Sequence, residues 1–436
     1  MSENILYVQG KNIRMLFSRK HLLVVFFFLL PFTVPAFGVL THEAIVDASW
    51  DQSIVPLLKE KFPQATDSLL QEAHAYAYGG AVSPDMGFYP FGSKLFTNLV
   101  HYVRSGDFVT ALLRDAGTLN EYAFALGFLS HYVADNYGHP LATNRSVPLV
   151  YPKLEKKYGH LITYAQDRIA HMRMEFGFDV LEVAKGNYAS QAYHNFIGFK
   201  VDTAVLAKAF METYGLNINK VFNNHFQLSV ETFRWIVANI FPAITKAGWV
   251  AKKGKIKKNK ATKATKHFSY KMHQKQYDKQ FGKGYSRPGF RAALLSFLIR
   301  VLPKVGPTRA LRFRAPTPQA EKYLEQSIDT VLYHYTIHLK QLNDHHLNLK
   351  DKDFDTGNPT ANCEYSLANQ TYTEWVLRLK ENDFENVDDP LRKNILHFFD
   401  LPEKRKIKSR RKDDCESFYE AYEQLSAIPV KDKKGN

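Results

Sequence analysis

The sequence predicts an all-α protein: a multi-helix bundle with a metal cluster inside the bundle, followed by a mostly helical C-terminal extension. Three observations carry this expectation. From residue 37 to about 250, apolar residues recur at spacings of three and four and strand-like alternation is hard to find. Histidines and carboxylates interrupt those apolar faces one helical turn apart. Apolar residues make up 45% and charged residues 23% of the chain, globular values that exclude a wholly disordered or collagen-like protein. The 436 residues allow two or three domains at roughly 150 residues each, or one enzyme core with additions.

Residues 1–36 read as a signal peptide. Lys11, Arg14, Arg19 and Lys20 form a basic start, Leu22 to Leu30 is an unbroken apolar run, and Val34-Pro35-Ala36 offers small residues before a cut. The run is shorter than the roughly 20 residues that span a bilayer. Extended through Phe32 to Leu40, it would serve as an uncleaved anchor instead. The expectation is an exported protein, periplasmic, envelope-associated or secreted, whose first residue after cleavage is Phe37 with a free α-amine.

Residues 37–250 form the predicted helical domain. Asn120 to Asp135 places Ala125, Phe128, Leu129 and Tyr132 on one face, and breaks are expected at Gly79-Gly80, Ser83-Pro84, Gly138 to Pro140 and Pro148 to Pro152. Residues 251–283 are different. They hold twelve lysines and one acid, Asp278, a local +11 out of the chain's +15. Without apolar periodicity this reads as a basic linker, either a solvated loop or a dock for an anionic membrane surface. Residues 284–436 form the extension, in which Ala320 to Leu342 resumes a helical pattern through Tyr323, Leu324, Ile328, Leu332, Tyr335 and Ile337. The net positive charge suits anionic partners, phospholipid headgroups and nucleic acid among them, without choosing between them. The two cysteines, Cys363 and Cys415, exclude both a disulfide framework and a cysteine zinc ribbon. Any metal is left to imidazole and carboxylate.

Two pairs stand out. His131 and Asp135 in GFLSHYVADNYGHP, and His171 and Glu175 in IAHMRMEFGFD, are each four residues apart on a helix that is otherwise apolar. Either pair alone is an ordinary polar contact. Together, with no cationic side chain to compensate them, they are costly to bury unless a cation joins them, and bundle interiors are where such groups build multi-metal sites. The other candidates lie in the same half: His42, in a first helical turn that Thr41 could cap; Asp85, in the turn GGAVSPDMG; His101, on LFTNLVHYV; and His139, just past the helix of His131.

The order of these residues resembles the zinc-dependent phospholipases C and their relatives, the single-strand-specific zinc nucleases. Phe37-Gly38-Val39-Leu40-Thr41-His42 is similar to the mature start of that family, and Asp85, His101, His131 to Asp135 and His171 to Glu175 match in order. HMRME is closer to the phospholipase version, and the resemblance covers about residues 37–245. It implies up to three zinc ions. One would be held by Asp85, His101, His131 and Asp135, and a second by His139, His171 and Glu175. A third would be held by the amine and carbonyl of Phe37 with His42 and a bridging Asp135. The family's usual first residue is Trp rather than Phe. Its histidine after the His-x-x-x-Asp helix usually comes ten residues past the first, where Leu141 stands here, so His139 takes that place at eight. Nothing beyond about residue 250 has a counterpart in the family.

The resemblance implies phosphodiester hydrolysis, since zinc brings the pKa of bound water towards 7 and clustered ions neutralise a phosphoryl group. Asp85 is expected either to ligate zinc or to take the proton from water. Phospholipid is the expected substrate. Two other readings stay open: an exported nuclease on the same site, whose affinity would rest on phosphate contacts, and a non-enzymatic envelope protein braced by structural metals.

Overall fold

In the computed structural model, the described residues are 38–256, 312–399 and 412–428. The leader, Phe37 and all but the first residues of the lysine-rich segment lie outside them. The helices of nine residues or more are α1 (Val39–Ser49), α2 (Asp67–Val82), α3 (Lys94–Tyr102), α4 (Ser105–Asp115) and α5 (Leu119–Gly138). They continue with α6 (Arg168–Lys185), α7 (Thr203–Tyr214), α8 (Phe226–Trp235) and α9 (Phe241–Ile256). After the gap come α10 (Pro318–Asn343), α11 (Ser366–Lys380), α12 (Asp389–Phe399) and α13 (Lys412–Ala427). Among the described residues there is no β-strand, only an isolated antiparallel bridge between Lys352 and Pro359.

The central helix is α5, buried almost all round from Tyr122 to Asn136, as a helix with apolar residues on every side must be. Its start is set locally. Thr118 caps the backbone N–H of Glu121, whose side chain in turn accepts from the N–H of Thr118, a reciprocal capping box. Around it pack α2, α1, α4 and, from the C-terminal part, α10. The Tyr335 hydroxyl of α10 donates to the Leu126 carbonyl of α5 at 2.8 Å. On the far side, the Trp375 indole of α11 donates to the Tyr214 carbonyl that ends α7, also at 2.8 Å. The C-terminal extension therefore shares one apolar core with the N-terminal domain.

Gly79 and Gly80 do not break a helix, contrary to the sequence expectation; both lie inside α2. Their role is close approach. A Cβ on Gly80 would collide with the Phe124 carbonyl, and one on Gly127 with the Ala77 carbonyl, so α2 and α5 cross backbone to backbone at a reciprocal pair of glycines. Thr41 is likewise not a cap. It lies within α1, and its hydroxyl and N–H donate to Asp179 Oδ1 of α6 at 2.8 and 3.1 Å, while Leu40 N–H donates to Oδ2. Asp179 thus satisfies the start of α1 from another helix, and burial holds its carboxyl up to about 7 against those hydrogen bonds.

The link between the two parts is the loop from residue 349 to 360. Asp351 Oδ1 accepts from Gly106 and Asp107 N–H at the start of α4, at 3.0 and 3.1 Å. The Ser105 hydroxyl donates to the Lys352 carbonyl and accepts from its N–H. Phe354 N–H donates to the His101 carbonyl at 3.1 Å.

The α2–α5 crossing gives a test of opposite sign to helix propensity. Ala is favoured over Gly by about 1 kcal/mol in an ordinary helix interior, but Gly127→Ala should destabilise the protein by roughly 1–3 kcal/mol through overpacking. Urea unfolding of the two proteins measures it, and a stabilised variant would refute the crossing.

Candidate metal centre

Every sequence-predicted side chain that is described comes to one place. His42, Asp85, His101, His131, Asp135, His139, His171 and Glu175 are all buried, none more than 3% exposed. Phe37 lies outside the described residues, two positions before the first residue of α1, whose start Asp179 anchors. Asp85 sits in a two-turn 3-10 helix, Ser83–Phe88, that follows α2, and His101 lies in the last turn of α3.

The stripe on α5 is the frame. His131, Asp135 and His139 follow each other at four-residue steps, so each lies one turn above the last. The eight-residue spacing that departs from the family is accommodated because His139 continues this face. The chain does not break at Gly138 but runs on through a wide turn, His139–Thr143. Helix α6 repeats the pattern with His171, Glu175 and Asp179. Asp179 is a residue the sequence reading passed over, although its spacing from Glu175 carried the signal.

Asp135 is the hub. Its carboxylate oxygens lie 3.1 Å from His131 Nε2, 3.5 Å from His42 Nε2, 3.5 Å from His101 Nε2 and 3.6 Å from His139 Nε2. Burial alone would raise its pKa, but the surrounding imidazoles, His131 and His139 foremost, hold it well below the usual carboxylate range. Burial pushes His42 down, with His131 adding to the effect. Burial would lower His101 too, but the Asp135 and Asp85 carboxylates override it and hold that ring at about 9. Burial pushes Glu175 up to about 8.

Tautomers follow from the outer partners. His101 Nδ1 lies 2.8 Å from the Thr97 carbonyl and His131 Nδ1 lies 2.8 Å from the Ala81 carbonyl. A carbonyl oxygen only accepts, so each Nδ1 carries a hydrogen and each Nε2 turns inward, towards the carboxylates. The two Nε2 atoms are 3.3 Å apart. Two lone pairs at that separation repel unless a proton or a cation lies between them. The carboxylates agree: no oxygen of Asp85, Asp135 or Glu175 makes a hydrogen bond of good geometry, although all are buried. Three donor clusters result: His42, His131 and Asp135; Asp85, His101 and His131; and His139, His171 and Asp355. Nitrogen and oxygen donors of this kind, with outer hydrogen bonds fixing the rings, fit zinc.

Glu175 meets the second pair of histidines, at 2.6 Å from His171 Nε2 and 3.3 Å from His139 Nε2. Asp355 was missed by sequence reasoning. It comes from the loop of the C-terminal extension, in DKDFDTGN, where alternating acids before Gly357 signal a turn but nothing ties them to helices α5 and α6. The ring of the preceding residue, Phe354, covers the cluster, with centroids 5.0 Å from His101 and 5.9 Å from His131.

Residues 41–224 match the family model described as zinc dependent phospholipase C, and every described donor of the cluster except Asp355 falls inside that match. No curated protein and no solved structure matches the chain. No helix among the described residues is long and apolar enough to cross a membrane. The match and the all-helical fold agree with the buried imidazole and carboxylate cluster: residues 41–224 are similar to the zinc-dependent phospholipase C family.

Proposed function

We propose that the chain is an exported zinc-dependent phosphodiester hydrolase that acts on phospholipid. The observation that carries this reading is the inward-facing pair of Nε2 atoms of His101 and His131 between the Asp85 and Asp135 carboxylates. Asp85, His101, His131 and Asp135 would hold one ion, and His42 with Asp135 and the terminal amine of Phe37 another. His139 and His171 would hold the remaining one. Bound zinc supplies an acidified water and positive charge for the phosphoryl oxygens.

The chain's own residues do the rest. The Thr97 and Ala81 carbonyls lock the rings of His101 and His131 so that their basic nitrogens face the reaction volume. Asp85 is the proposed proton acceptor. Its Oδ1 lies 3.5 Å from His101 Nε2, and with neither oxygen hydrogen-bonded, one remains free to take a proton from water. Asp135 turns one oxygen to His42 and His139 and the other to His101 and His131, so two ions would depend on it. Phospholipid is favoured over nucleic acid by the family description and by the segment His171 to Glu175.

Purified protein starting at Phe37 should carry two to three zinc ions per chain and release phosphocholine from phosphatidylcholine vesicles. Release of nucleotides from single-stranded DNA, with no action on vesicles, would favour the nuclease reading. Asp135→Asn should lower the rate at least about 100-fold and reduce zinc content, because a neutral amide replaces a carboxylate shared by two ions. Retention of both would make Asp135 an ordinary helix residue.

The chain start has its own test. A Met retained before Phe37 converts the α-amine into an amide, and one zinc per chain should then be lost while circular dichroism stays the same. Equal zinc content in both proteins would remove the chain start from the site.

A further inference from the structure

The turn Tyr89-Pro90-Phe91-Gly92 follows the 3-10 helix of Asp85 and closes with the Gly92 N–H donating to the Tyr89 carbonyl at 2.9 Å. Phe91, its third residue, has φ 63°. After a proline, that position of a type II turn is one that glycine or asparagine normally fills, and a bulky side chain there is strained. The ring is also 46% exposed. An exposed ring alone is ordinary, but one held out in a strained backbone points to a use outside the fold. The turn is fixed from behind: a Cβ on Gly92 would strike the carbonyls of Met86, Gly87 and Tyr89, and the Gly87 N–H donates to the Thr97 hydroxyl at 2.9 Å.

Phe91 does not stand alone. Its ring lies 6.3 Å from that of His225, the residue before α8. Leu228 and Trp235 follow on α8, 41% and 47% exposed and seven residues apart, so they share one face. Tyr89 packs its ring on Phe233, from the buried face of α8, at 4.8 Å, which ties the turn to the helix. The charges beside this face favour an anionic partner. Lys94 and Arg234 are exposed, while the Glu231 carboxylate accepts from the Gln227 amide at 3.2 Å. Helix α8 runs through a wide turn, Ile236–Ile240, straight into α9, which carries Lys252 and Lys253 at the start of the lysine-rich run. Exposed apolar and aromatic side chains on a helical rod that ends in lysines are the pattern of a segment lying on a membrane surface.

Resting on the phospholipid reading above for the choice of lipid, we propose that Phe91, Leu228 and Trp235 form the face that docks this protein on a phospholipid surface containing anionic lipid. Phe91 is the leading side chain. The face lies in the interface and does not span it, since such side chains reach only about 5–10 Å into the headgroup boundary. Its position suits the centre. Asp85 is six residues before Phe91, and Phe88, between them, has its ring 6.3 Å from that of Tyr164, which is itself 5.3 Å from the His171 ring. Docking at Phe91 therefore brings the headgroup layer beside the wall of the centre built by Asp85 and Tyr164.

Co-sedimentation of the full chain starting at Phe37 with vesicles of phosphatidylcholine and phosphatidylglycerol tests this without relying on turnover. In about 0.5 M salt the lysines are screened to within a few ångströms and the apolar contacts remain to be read. Phe91→Gly should weaken binding about 10-fold or more, because a phenylalanine side chain no longer enters the interface, and Leu228→Gln should add to the loss. The urea midpoint of Phe91→Gly should not fall, because glycine fits the turn without strain. Vesicles should shift the tryptophan emission of the wild type to the blue, and Trp235→Phe should remove that shift, since Trp50 and Trp375 are buried. Wild-type binding in Phe91→Gly with Leu228→Gln would overturn the proposal even if vesicles are hydrolysed. A wild-type dimer that Phe91→Gly dissociates would do the same, because a second copy would then cover the face, and a lower urea midpoint would make Phe91 a packing residue. Docking by the wild type without hydrolysis would overturn the hydrolase reading and leave the docking face in place.

Discussion

Much of this structure depends on one buried carboxylate facing four imidazoles. Asp135 is wholly excluded from water and has His42, His101, His131 and His139 at 3.1–3.6 Å. An isolated charge there would be prohibitively costly, and a carboxylate satisfied by ordinary hydrogen bonds would need donors aimed along its lone pairs. Neither describes the cluster. Rings that turn their Nδ1–H groups outward to backbone carbonyls leave basic nitrogens pointing at the carboxylate, and only added positive charge reconciles them. The close crossing of α2 on α5 frames this point, and the short 3-10 helix and the anchored start of α1 bring Asp85 and His42 to it.

The bundle is more than a scaffold for its N-terminal half. Helix α10 packs along α5, α11 packs on α3, and the loop between them lays Phe354 over His101 and His131. The covering ring and the backbone bond from Phe354 to the His101 carbonyl come from the same residue. Water is thus kept off one side of the cluster by a part of the chain that the family model does not cover.

How much of this could be read from sequence follows from what periodicity can and cannot report. Helix α5 and its stripe were legible because apolar residues and the His131–Asp135 pair obey one period, and the same held for His171 and Glu175 on α6. Asp85 and His101 needed the ordered family pattern, since neither carries a local signature. Gly79 and Gly80 misled, because glycine marks both a helix end and a close helix contact, and only the opposing carbonyls distinguish them. Thr41 misled because a capping residue from a distant helix, Asp179, leaves no trace near the helix it caps. Asp355 lay beyond reach for a related reason. A loop has no period, and its partner helices are distant in the chain.

The position of that loop also bears on the order in which the protein is made. Helices α1 to α9, with the histidine face of α5, precede it in the chain. Until the loop is made, the N–H groups of Gly106 and Asp107 lack the Asp351 carboxylate. A chain that stops short of residue 350 has neither the Phe354 ring over His101 and His131 nor the Asp355 carboxylate beside His139 and His171. The centre is therefore complete only when the segment that follows α10 is present.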